Sequence, residues 1–349
     1  MEYLQELIQL TSWIHKEPFH TAFYAITTIL SVIANFTLIL VVFHKQLKHL
    51  GDYRYLLSAF AICDIMTSLT HMIVEPRVHT NSEGFLHFTK YTGTLFKLLN
   101  GWMGRYACLA FVASSHQVYM ILCFHYIYRL KVLYPEFLLN RGPMKRFRTL
   151  EWTIAAGVVF FAYLGMTVAA ASLVFNQDKH ARTLDTTVFL RAYEIDLSDR
   201  NVEHLICRYH MVNGSSSLNY GWSPKMILTM SFFFLMVNGT AAVMIYCIVK
   251  IKLLMRCQNI SDKTRMLHKQ LVRALLIQTS VPLVFSYIPE SVFFVAPLIG
   301  LDLGDWGNLL MMSAVLFPAV DATLVMLCTA RFRQVLIGMF KRSVCSKIK

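Results

Sequence analysis

Charge is scarce in this chain. Only 15% of its 349 residues are Asp, Glu, Lys or Arg, against 56% that are hydrophobic. A soluble domain carries roughly a quarter charged residues, and two globular domains of this length would lack the polar side chains to cover their cores. A water-soluble fold is therefore excluded, and the surplus apolar surface must face lipid. Cysteine is sparse as well, eight residues with no CxxC pair, which removes a disulfide scaffold, a zinc ribbon and a thioredoxin-type redox motif. No Walker loop, GxSxG elbow or HExxH pair occurs, so no catalytic residue, metal or cofactor is expected and an enzyme is not indicated. Fixed-period repeats, low-complexity linkers and paired broken helices of the transporter kind are also missing.

What is present is seven apolar runs of the length a bilayer core requires, because lipid offers no partner to an unpaired backbone amide. Thr21 to Phe43, Trp152 to Phe175 and Met226 to Val249 contain no Asp, Glu, Lys or Arg. Tyr55 to Val74, Tyr106 to Tyr128, Ala274 to Ala296 and Trp306 to Cys328 carry isolated polar residues. The expected fold is an all-α membrane protein, a seven-helix bundle over residues 21–328 with a short N-terminal segment (1–20) and a C-terminal tail (329–349). None of the spans holds a lysine, so a retinal Schiff base has nowhere to form.

Sidedness follows from the loops. Those at 44–54, 129–151 and 250–273, with the tail, hold 22 basic and 4 acidic residues; the segments on the other side hold 11 and 13. Lys and Arg accumulate on the cytoplasmic face, which places the N-terminus outside and the C-terminus inside. The formal net charge of +13 is thus a sidedness signal, and nucleic acid is not an expected partner.

Asp64, Glu290 and Asp321 are the sharpest anomalies, since a carboxylate at mid-helix costs about 2.5–3.5 kcal/mol on insertion scales and persists only toward the bundle interior. Glu290 lies toward the outer end of its helix, placed for an external ligand; Asp64 and Asp321 suit an inner polar network that shifts with the helices. A purely structural role competes, in which such acids bond Ser, Thr or water between helices. Pro282 and Pro289 should bend the sixth span, making it a lever whose cytoplasmic end answers small outer displacements, although static prolines are common in membrane helices. His71, His116 and His125 fall on different spans without metal-ligand spacing.

In the tail, Phe332, Val335, Leu336, Met339 and Phe340 recur at helical spacing beside Arg331, Arg333, Lys341 and Arg342, the pattern of an amphipathic helix lying against membrane lipid. Cys207 is in an outer segment and Cys108 opens a span from the outer side, so a disulfide, if one exists, joins this pair. Asn213-Gly214-Ser215 is the one glycosylation triplet in an outer loop.

Several blocks resemble the nematode Str family of seven-helix chemoreceptors, the group that includes the receptor for the odorant diacetyl. They are Glu75-Pro76-Arg77-Val78-His79 with Gly84-Phe85, His125-Tyr126-Ile127-Tyr128-Arg129, Tyr193-Glu194-Ile195-Asp196-Leu197, and Lys269-Gln270-Leu271 running through Pro282 and Tyr287-Ile288-Pro289 to Phe317-Pro318-Ala319-Val320-Asp321. Ala322 departs from the proline usual after that aspartate. The resemblance implies a receptor of the ciliary membrane of sensory neurons, detecting a small-molecule odorant and acting through a heterotrimeric G protein, with Arg129 at the inner switch or G-protein face. Glu290, Tyr287, His116 and His71 are the candidate ligand contacts, between the third, sixth and seventh spans. A ligand-gated channel or a small-molecule transporter is the rival reading, since membrane acids also line ion paths. Association with another copy or with a different receptor is compatible with the sequence.

Overall fold

The computed structural model describes residues 16, 18–81, 84–89, 102–133, 149–175, 193, 204–212, 220–257, 262–304 and 306–347. Asn213 lies outside the described residues. The first five spans are α1 (Phe19–Val42), α2 (Tyr53–Val74), α3 (Trp102–Leu133), α4 (Thr149–Phe175) and α5 (Pro224–Cys257). The sixth is composite: α6 (Asp262–Pro282), a π turn (Leu283–Tyr287) and α7 (Ile288–Val295). The seventh is α8 (Trp306–Cys328), and α9 (Ala330–Lys347) follows. Seven helices are long and apolar enough to cross a membrane, as expected. Several run farther than expected: α3 continues to Leu133 and α5 to Cys257.

Several hydroxyls within the spans are satisfied inside their own helices. The hydroxyls of Thr27, Thr37, Thr70, Thr167, Ser280 and Thr323 each donate to the carbonyl four residues back at 2.7–2.9 Å, the local bond available where no water competes. α3 is the central pillar: 72% of its apolar window is buried, against 22% for α4 and 17% for α5. Around it lies a core of Phe60, Val118, Leu122, Tyr126, Leu275 and Phe317.

One end of the bundle is capped by a sheet that the apolar pattern did not announce. β1 (Pro76–Asn81) pairs antiparallel with β2 (Gly84–Thr89), and β2 pairs antiparallel with β3 (His204–Arg208), Phe85 facing Cys207 and His87 facing Leu205. A smaller hairpin joins β4 (His210–Val212) to β5 (Tyr220–Trp222). Every residue of β2 is buried, so the strand lacks the in–out alternation that marks a half-exposed strand. Glu75 makes the turn into the sheet, closing α2 at φ +42° with its N–H on His71 O at 2.8 Å and its carboxylate on the Thr21 hydroxyl at 2.9 Å.

The sheet is fastened to α8. Val78 N–H donates to Asn308 Oδ1 at 2.9 Å, Asn308 Nδ2 donates to the Tyr193 hydroxyl at 3.1 Å, and that hydroxyl donates to Val78 O at 3.2 Å. Thr80 and Gly304 exchange backbone bonds. A Cβ at Gly307 would come within 3.1 Å of Val78 Cγ1 and 3.2 Å of Thr80 Oγ1, so the absence of a side chain lets α8 approach β1.

At the opposite end, α9 differs from a helix merely lying on lipid. Phe332 and Val335 are buried in a cluster with Leu38 and Val41 of α1 and Met326 of α8. Arg333 donates to Leu327 O at 3.0 Å, where α8 leaves its last carbonyls unpaired. Cations sit over aromatic faces at this end: Arg54 over Tyr55 at 4.9 Å, Lys131 over Trp152 at 4.4 Å and Lys250 over Tyr246 at 5.7 Å. This is the amphipathic belt of a membrane–water boundary.

Candidate functional site

Beneath the sheet is a cavity of about 70 Å³. Its roof is Phe85 and His87 of β2 with Cys207 of β3; its walls are Phe111, Ser115 and His116 of α3, Ala171 of α4, and Met230 and Phe233 of α5. α7 contributes Glu290, Phe293 and Phe294, and α8 contributes Met311. The phenylalanines form a connected group, with Phe85 and Phe293 centroids 4.3 Å apart, Phe85 and Phe294 at 5.2 Å, and Phe293 and Phe294 at 5.3 Å. Apolar walls with a few convergent polar groups are the usual make-up of a small-molecule site.

Of the four residues expected to meet a ligand, Glu290 and His116 line this cavity. The other two do not. Tyr287 packs edge-on against Tyr119 at 6.3 Å, and His71 is buried behind Phe111 at 5.1 Å. Composition could not have singled out Phe85, Phe111, Phe233, Phe293 and Phe294 from 25 phenylalanines. His87 and Cys207 come from segments that read as loops.

Glu290 stands one turn from an irregularity that the prolines create. Pro289 has no N–H, so Phe285 O loses its helical donor; Ser313 Oγ of α8 supplies one at 3.1 Å. Pro282 closes α6, and Ile288 N–H reaches five residues back to Leu283 O. Ser286, inside the π turn, donates to Glu290 Oε1 at 2.9 Å and receives the Tyr119 hydroxyl at 3.4 Å. The carboxyl of the cavity is thereby bonded to the one stretch of the sixth span that is not α-helical.

Asp64 and Asp321 converge on a second buried region, with Asn35 and Ser68. Both acids are fully buried, and none of their carboxylate oxygens receives a hydrogen bond from the described residues. They lie close enough to interact electrostatically. Asn35 Nδ2 donates to Pro318 O at 3.0 Å and Ser68 Oγ to Ser31 Oγ at 2.7 Å, tying α1, α2 and α8 together. Nearer the belt of cations, Arg129 is 4% exposed, its guanidinium carbon 3.5 Å from the Tyr53 ring centroid. The Tyr53 hydroxyl bonds His125 Nδ1 at 3.1 Å, and Tyr126 links α3 to Thr279 of α6 at 2.8 Å.

The cysteine pair that a disulfide would join is unbonded in this structure. Cys207 and Cys108 are both buried and are not joined. Cys207 is turned by β3 into the apolar cluster with Phe85 and Tyr209, and burial pushes its thiol up.

His87, in the roof, stacks on Phe111 at 4.9 Å, and burial lowers its imidazole from 6.5 to about 4. The folded ring gives up its proton more readily than the unfolded one. Stability is therefore whole above pH 6.5 and is lost as pH falls toward 4, by up to about 3 kcal/mol. Hydrogen exchange at β2 amides, corrected for its intrinsic pH dependence, should accelerate over that window, and His87→Phe should flatten the profile. An unchanged profile in the variant would assign the acid sensitivity elsewhere.

The profile described as "Serpentine type 7TM GPCR chemoreceptor Str" matches residues 20–337. Serpentine receptor class r-10 of Caenorhabditis briggsae is 25% identical over 304 residues, 84% of this chain and 82% of its own length. G-protein coupled receptor str-33 of Caenorhabditis elegans is 22% identical over 320 residues, covering 89% and 87%. Serpentine receptor class J-38 of the same species is 25% identical over 337 residues, covering 92% and 93%. Seven spans and a match over nearly the whole bundle make this chain a multi-pass membrane protein belonging to the Str family of serpentine 7TM GPCR chemoreceptors.

Proposed function

We propose that this chemoreceptor binds a small-molecule odorant in the cavity under β2 and β3 and passes the event to a heterotrimeric G protein at the Arg129 end. The N-terminus lies outside, the basic loops face the cytoplasm, and the working location is the ciliary membrane of a sensory neuron. The observation that carries the reading is the position of Glu290, which lines the cavity while bonded through Ser286 to the π turn between Pro282 and Pro289. A ligand that alters this bond acts on a segment whose backbone is not locked in α-helix, and differential affinity for two arrangements is all that a switch requires.

Epitopes at the two termini of a tagged receptor test the orientation. The N-terminal tag should be reached in intact cells and the C-terminal tag only after permeabilisation, with an odorant-evoked calcium response that disappears when Gα subunits are removed. An inside N-terminus, or a response that survives without Gα, would move the assignment to a ligand-gated channel.

A further inference from the structure

Resting on the receptor reading above, the residues of the cavity restrict what can occupy it. At roughly 10–15 Å³ of such space per water-sized group, 70 Å³ admits about five to seven non-hydrogen atoms. Five phenylalanines supply the wall, so most of the ligand is hydrocarbon. Its polar end must suit what remains. No Lys or Arg lines the cavity, whereas Glu290 does; among the described residues no cation pairs with that carboxyl. His116 bonds Val112 O through Nδ1 at 2.9 Å. Toward a carbonyl that nitrogen is the donor, and in a neutral ring Nε2 is then an acceptor. His87 is 5% exposed, with neither ring nitrogen bonded. Acceptors and aromatic faces with no countercharge complement a group that has N–H donors only and carries positive charge.

We infer that the cavity takes a small alkyl amine in its protonated form, its ammonium between Glu290 and the phenylalanine faces and its hydrocarbon under Phe85. In the structure as it stands Glu290 is turned onto Ser286 at 2.9 Å. Binding draws the carboxylate off Ser286 toward the ammonium. The bond that breaks belongs to the π turn, so ligand charge and the sixth span are coupled through one side chain.

The test uses purified full-length receptor and three probes of one shape and different charge: isopentylamine, 3-methylbutan-1-ol and 3-methylbutanoate. The amine should raise the melting temperature at concentrations about tenfold below those at which the alcohol acts, and the carboxylate should do nothing. Glu290→Gln should erase the preference of amine over alcohol. Ser286→Ala, which frees the carboxylate without removing it, should keep or sharpen that preference, so a folding defect in Glu290→Gln does not leave the matter open. Equal or better binding of the alcohol or carboxylate overturns the amine assignment while leaving the receptor reading in place. Absence of binding by all three probes also overturns it, and the receptor reading is then decided by the orientation and Gα experiments, which do not depend on these probes.

Discussion

Replacing Tyr53 with Ala should strip several kcal/mol from the folded receptor and leave little of it at the cell surface. Tyr53 is 2% exposed. Its ring lies under the Arg129 guanidinium at 3.5 Å, stacks on Tyr128 at 5.8 Å and meets His125 edge-on at 5.4 Å. Truncating an aromatic in a filled core costs about 3–5 kcal/mol. A desolvated cation over a ring contributes about 2 kcal/mol or more. Arg129 Nε and one terminal nitrogen receive no other partner among the described residues, so removing the ring leaves a buried charge without support, which is costlier than never having buried it. Tyr53→Phe keeps the ring under the guanidinium and loses only the hydroxyl's hydrogen bonding to His125 and Arg129, about 1 kcal/mol per bond. The two variants should therefore separate by about 4 kcal/mol or more in thermal unfolding of the solubilised receptor. Arg129→Leu should recover part of the loss when combined with Tyr53→Ala. Equal stability of Tyr53→Ala and Tyr53→Phe would show that the ring does not hold the guanidinium.

The second large effect has the opposite sign. Asp64→Asn should stabilise the receptor by about 1–3 kcal/mol and blunt its signalling. Asp64 and Asp321 occupy one dry region with no hydrogen bond to any of their four carboxylate oxygens from the described residues, where like charges repel strongly. Asparagine has the shape of aspartate without its charge and can donate to the remaining acid. Asp321→Asn should behave similarly, while the double variant should gain less than the sum, because the first substitution already relieves the repulsion that the second would remove. Melting temperatures and the maximal odorant response are the measurements. Additive single effects, or destabilisation by either one, would place the two carboxyls in separate environments.

How much of this was legible beforehand depends on the solvent each part meets. The spans could be read because hydrocarbon enforces about twenty apolar residues of helix, and the three membrane acids stood out against that background. Depth along their spans already grouped Asp64 with Asp321 in an inner network, but did not show that neither carboxyl would find a hydrogen-bond donor among the described residues. The cap sheet was hidden for a different reason. Gly84 to Thr89 is buried on both faces, which erases the period of two, and its partner strands come from segments more than a hundred residues apart. The cavity inherits this obscurity: Glu290 announced itself as a charge in an apolar run, whereas Phe85, His87 and Cys207 acquire their role only once the sheet forms. Tyr287 and His71 were placed by depth, but their direction was not legible: Tyr287 turns toward Tyr119 and His71 toward the back of Phe111, outside the cavity lining.

The three-stranded cap sets a rule for grafting specificity between relatives. Its central strand is hydrogen-bonded on both sides, β1 is clamped to Gly304 and Asn308, and Tyr193 braces that clamp. A chimera that swaps the connection between the second and third spans alone would import β1 and β2 against a foreign β3 and a foreign α8. Exchanges confined to a single extramembrane stretch should yield silent receptors, and transplanting residues 75–89 together with 193–212 and 304–308 is the smallest cassette that carries its own framework.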